Sequence, residues 1–102
     1  MHYLLMYDLV DDYGTRRTPL RGAHLAHAQQ FVNRGELLLG GALAEPMDSA
    51  ILLFRGDSAA VAESFAKQDP YVLQGLVRSW RVRQWTTVVG PDAAVRVPPG
   101  PA

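Results

Sequence analysis

The sequence predicts an α+β fold, a four-stranded antiparallel sheet carrying two helices on one face. Two observations carry that prediction. Four short segments rich in aliphatic and aromatic residues alternate with two segments whose apolar residues recur at helical spacing, and their order is β-α-β-β-α-β. That order is the split β-α-β arrangement, in which right-handed crossovers place both helices on the same side of the sheet.

Each element has its own signal. Residues 2–10 (HYLLMYDLV) read as the first strand, ended by Asp11, Asp12 and Gly14. Thr18-Pro19 reads as a helix start, with threonine as N-cap and proline at the first helical position. The first helix then runs from Leu20 to Arg34, with Leu25, Ala28 and Val32 at helical spacing and Gly35 as its stop. Residues 36–43 (ELLLGGAL) form the second strand and 49–55 (SAILLFR) the third, with Glu45-Pro46-Met47-Asp48 as turn material between them. Asp57 or Ser58 caps a second helix that packs through Val61, Ala62, Phe65 and Ala66. Asp69-Pro70 breaks it, because proline disfavours helical geometry in the residue before it. Residues 71–75 make a short turn or helical bend, and residues 76–89 a long fourth strand. Residues 1–90 thus make one domain. Residues 91–102 form a tail that carries four of the seven prolines and no periodic pattern.

Composition narrows the classes of function. A chain of 102 residues with 48% apolar and 20% charged residues is an ordinary globular domain. Ten basic and ten acidic residues balance to zero, so the basic excess that replaces counterions on a duplex is missing. With no cysteine there is no disulfide framework, thiolate nucleophile or cysteine zinc site. No signal-peptide pattern and no apolar run near membrane-spanning length occurs. A soluble, cytoplasmic protein is the expectation.

The strands carry apolar residues on both faces. Tyr3, Leu5, Tyr7 and Leu9 alternate with Leu4, Met6 and Val10. Ile51 and Leu53 alternate with Leu52 and Phe54, and Trp80 and Val82 oppose Val77 and Trp85. Two helices cover only one face, so the other is expected to pack against a second copy, sheet to sheet, in a homodimer.

One pair of residues suggests chemistry. In this topology the start of the first helix and the end of the second meet at one edge of the domain. His24 and Asp69, 45 positions apart, are thereby brought together. A carboxylate beside an imidazole fixes its tautomer, which is the minimal equipment for moving a proton. Arg21, one turn before His24, could hold an anionic substrate. Tyr71, just after Asp69-Pro70, could line the pocket. Taken alone, a helical histidine is most often a boundary residue and an aspartate before proline a helix stop.

Three blocks bear on that choice. Arg21-Gly22-Ala23-His24-Leu25 resembles the R-P-A-H-L stretch of YCII-like (YciI-type) proteins. Residues 35–41 (GELLLGG) resemble their G-x-L-L-x-x-G strand. Asp69-Pro70-Tyr71-Val72, followed by Gly75-Leu76, resembles their D-P-Y-V-x-x-G segment. The blocks fall in the family's order, and the resemblance covers residues 1–90. Gly22 departs from it where the family often has proline, and the turn between the second and third strands is short. The resemblance implies a ferredoxin-like protomer in a dimeric α+β barrel, with His24 and Asp69 matching the family's acid–base pair. It supports cofactor-free isomerisation, elimination or lactone chemistry on a small organic acid or aromatic-degradation product. The rival is a non-enzymatic small-ligand-binding or accessory protein on the same scaffold.

Other patterns point to chemistry less well. His24 and His27 lie three apart but lack a third ligand at supporting spacing, so no metal is expected. Asp8, Asp11 and Asp12 lack the glycine and glutamate of a calcium loop. Arg78, Arg81 and Arg83 with Trp80 and Trp85 could stack RNA on an open sheet, but the glycine-aromatic signature of such sheets is missing. Ser49, Ser58 and Ser64 have no nucleophile-elbow context, and no phosphate-binding glycine loop occurs.

Overall fold

A computed structural model describes residues 1–97. The strands are β1 (His2–Leu9), β2 (Leu37–Ala42), β3 (Ser49–Arg55) and β4 (Val77–Trp85). The helices are α1 (Tyr13–Arg16), α2 (Arg21–Asn33), α3 (Ala60–Gln68) and α4 (Pro70–Leu73), with a 3-10 turn at Thr18–Leu20. The sheet is antiparallel throughout, in the order β2-β3-β1-β4. Central β1 aligns Leu5 between Leu52 of β3 and Val82 of β4.

Tyr3, Leu5, Tyr7 and Leu9 are buried in the core with Leu52, Phe54 and, from the helices, Phe31, Ala62, Phe65 and Ala66. Phe31, Phe54 and Phe65 meet with centroids 5.1–6.1 Å apart, in tilted and edge-on pairs that aromatic quadrupoles favour.

Two helices stop at glycines in the left-handed region. Gly35 (φ 74°) ends α2, with Glu36 N–H donating to the Phe31 carbonyl at 2.9 Å. Gly75 (φ 78°) ends α4, with Leu76 N–H donating to the Tyr71 carbonyl at 2.9 Å. Both are Schellman closures, which need a residue without a Cβ penalty at positive φ. Gly75→Ala should therefore lower stability by about 1 kcal/mol in urea denaturation, since only the backbone conformation is strained.

The structure corrects four expectations. Thr18 caps nothing with its side chain. α1 and the 3-10 turn lead almost continuously into α2, with Arg17 already helical, so the extended geometry of an N-cap never arises. The short helix α1 stands where the sequence suggested only a turn. A bulge between Asp8 and Leu9 shifts the β1–β4 register, so Val77 joins Leu9 on the core face instead of sharing a face with Trp85. Finally, β4 ends at Trp85, not Val89. The register of β1 with β4 stops at His2–Trp85, so the residues beyond have no strand to pair with.

The chain after β4 folds back on itself. Thr87 accepts the Ala94 N–H on its hydroxyl at 2.7 Å and the Val95 N–H on its carbonyl at 3.0 Å. The same hydroxyl lies 2.6 Å from Nδ1 of His2, which is 3% exposed. Local bonds thus hold the tail as far as Val95, and the part of the expected tail after residue 97 lies outside the described residues. Burial first, then the Arg55 guanidinium, hold the His2 ring below its ordinary value of 6.5, with Asp92 opposing. The folded state therefore binds fewer protons than the unfolded state just below pH 6.5. Stability should hold above that pH and fall as pH drops through the lower folded-state value. Urea titrations between pH 7 and about pH 5 should show that part of the loss disappear in His2→Asn.

Candidate active site

Asp69 closes α3 and opens α4. As a residue before proline it is extended (φ −69°, ψ 123°), which stops α3. Pro70 then occupies the first position of α4, and the Asp69 carboxylate accepts the Tyr71 N–H at 3.0 Å as the N-cap. The side chain is fully buried. Oδ1 also lies 2.7 Å from His24 Nδ1, and Oδ2 accepts the Tyr7 hydroxyl at 2.7 Å. Three donors from β1, α2 and α4 thus surround one carboxylate. Among the described residues no buried side-chain polar atom lacks a partner.

A carboxylate only accepts, so Nδ1 of His24 carries a proton toward Asp69, and in the neutral ring Nε2 is the nitrogen with the lone pair. The ring lies flat on Tyr71, with centroids 3.9 Å apart and planes 9° from parallel, and edge-on to Phe65 at 6.3 Å. Its side chain is 16% exposed. The imidazole is therefore fixed in orientation and tautomer while one edge stays accessible. Burial, then the charge and hydrogen bond of Asp69, push the Tyr7 hydroxyl far above its ordinary value, so it remains a neutral donor to the carboxylate. Burial, then Tyr13, raise Tyr71 as well, while Arg21 and Arg17 oppose that rise.

His24 opens onto a cavity of about 570 Å³ between α2 and the β2–β3 side of the sheet. Arg17, Arg21, Tyr13 and Tyr71 line it with His24, and Gly40, Ala42 and Ala50 are among the small residues on the sheet side. A Cβ on Gly40 would sit 3.3 Å from Leu52 Cγ, so the glycine lets β2 lie close on β3 there.

The structure thus brings together all four residues singled out in the sequence. His24, Arg21 and Tyr71 line the cavity, and Asp69 lies behind His24. Tyr71 is buried and contributes mainly the face on which the imidazole rests. Sequence reasoning missed Tyr7 and Arg17. Tyr7 alternates with Leu5 and Leu9 and looks like core, and the only signal for Arg17 is its place one turn before Arg21. His27 is turned away, its Nε2 3.0 Å from the Phe65 carbonyl and its ring against Phe31 and Phe65. Among the described residues no group of three potential ligands could hold a metal ion. None of their helices is long and apolar enough to cross a membrane.

Fold and site together define a small α+β protein with a carboxylate-anchored histidine at the mouth of a largely apolar pocket. The family model for the YCII-related domain matches residues 1–86, and the chain belongs to that family. Among solved structures, it is similar to 5-chloro-2-hydroxyhydroquinone dehydrochlorinase (TftG) from Burkholderia phenoliruptrix AC1100, in complex with 2,5-dihydroxybenzoquinone. The TM-score is 0.71 and the identity 21%, covering 85% of this chain and 95% of that one. At that identity the likeness establishes the shared fold alone. No curated protein matches the chain.

Proposed function

We propose that the chain is an acid–base catalyst in which Nε2 of His24 exchanges a proton with a small organic acid or aromatic-degradation product, by isomerisation, elimination or lactone chemistry. The observation that carries this reading is the contact of His24 with the sealed Asp69 carboxylate at 2.7 Å, with the opposite ring nitrogen left for the pocket. Asp69 orients the ring, Tyr71 holds it flat, and Arg21 meets developing negative charge on the substrate. No cofactor enters this scheme. The dehydrochlorination named for the structural relative is an elimination from a hydroxylated ring and falls within the class.

Proton exchange tests the reading without knowledge of the product. Enolisable lactones and hydroxylated quinones incubated with the protein in deuterium oxide should gain deuterium at one carbon, followed by NMR. His24→Gln should abolish the gain. Undiminished exchange in that variant refutes the role. Ligands that bind to the wild type with no exchange and no conversion favour the non-enzymatic binding protein.

The working unit in this proposal is a homodimer packed sheet to sheet. Leu4, Met6, Ile51 and Leu53 share the face turned away from the helices and are not covered by them. Light scattering should give twice the mass of the chain for the wild type, and Met6→Lys should reduce it to the monomer.

A further inference from the structure

The cavity beside His24 is larger and longer than one small ring requires. An apolar cavity of about 150 Å³ already holds benzene, whereas this one measures about 570 Å³. Its helical wall includes Arg21, His24, Leu25, Ala28 and Val32, three turns of α2. At roughly 1.5 Å per residue that wall is about 16 Å long.

Charge and polarity are sorted along that length. Arg17, Arg21 and His24 stand at one end, and none of the lining residues is acidic. Arg16, Arg34, Arg78 and Arg81 each have a carboxylate within ion-pair distance. Arg17 and Arg21 have none among the described residues, and Arg17 rests over the Tyr13 ring at 5.4 Å. Toward the other end the walls are Ala28, Val32 and the leucines of β2. The polar Gln29 donates instead to Asn33 at 2.8 Å. Leu25, Val32 and Leu39 on the two rims are 52%, 45% and 72% exposed, apolar surface that a ligand in the groove would take out of water.

We propose that the site accepts an elongated amphiphilic anion. Its acidic or enolate head lies between Arg17 and Arg21, next to His24, and an apolar tail runs along α2 toward Val32. This deepens the catalytic reading and rests on it, by adding a tail to the substrate class and Arg17 to the residues that hold the head.

Titration calorimetry with decanoate, butyrate and decanol on the full chain tests it. Decanoate should bind at least about tenfold more tightly than butyrate, because each buried methylene adds to affinity. Arg17→Gln should weaken decanoate by about fivefold or more and leave decanol unchanged. Val32→Glu, at an exposed position that tolerates charge, should erase the advantage of decanoate over butyrate. Equal affinities for the two acids overturn the inference, as does unchanged decanoate binding in Val32→Glu. If Val32→Glu alters the oligomeric state and not decanoate affinity, the groove belongs to a second copy and the inference falls. Probe binding involves no turnover. A chain-length effect in a protein that exchanges no proton therefore refutes only the catalytic reading, and exchange on short acids with no chain-length effect refutes only this one.

Discussion

Asp69→Ala is expected to cost about 2–4 kcal/mol of folding stability, seen as a lower urea midpoint with unchanged slope. The loss has separable sources. The buried Tyr7 hydroxyl, which now donates to Oδ2, is left without its partner, at about 1–3 kcal/mol. The N-cap of α4 disappears, at about 1 kcal/mol. Releasing a carboxylate from a fully buried site offsets part of this. Asp69→Asn separates shape from charge. Its oxygen can still accept from Tyr71 and His24, and its amide can donate to the Tyr7 oxygen, leaving the phenol hydrogen and the second amide hydrogen unpaired. The asparagine variant should therefore lose less than half as much stability as the alanine variant. If the two lose equally, the carboxylate network contributes only through its charge.

His24→Gln should have the largest effect on activity. Loss of a positioned general base reduces turnover by about 10²–10⁴-fold. The fold should barely respond, because the glutamine amide can donate to Asp69 and the imidazole lies at the surface end of the network. Circular dichroism and the urea midpoint should stay within about 1 kcal/mol of wild type. The combination of near-native stability and lost turnover separates a catalytic histidine from a structural one. A large stability loss with turnover retained would assign His24 to the core instead.

The architecture was legible in the sequence because its signals are local and agree with one another. Alternation in residues 2–9, helical spacing from Leu25 to Val32, Gly35 and Asp69-Pro70 each fix one element or boundary, and element order fixes the rest. The encounter of His24 with Asp69 follows from that order. The bulge at Asp8–Leu9 was not legible, because one extra residue in a strand leaves the composition unchanged yet turns Val77 to the other face. The end of β4 was misread because Thr86-Thr87-Val88-Val89 suits a strand by propensity, and propensity says nothing of whether a neighbour is there to pair with. α1 escaped because a four-residue turn with Gly14 and Thr15 has little helical preference of its own. Tyr7 escaped because only its hydroxyl leaves the apolar role, and no pattern in one strand reveals which carboxylate that hydroxyl meets.

Asp69 serves the backbone and the histidine at once, and this asymmetry bears on how such a domain can drift. The aspartate stops one helix, starts the next and partners a buried tyrosine, so a lineage without the proposed chemistry would still be held to it by the need to fold. His24 has no such second duty and would be free to change. A descendant kept only for holding ligands would therefore carry the aspartate without the histidine, whereas loss in the opposite order would be selected against before any change of activity came into play.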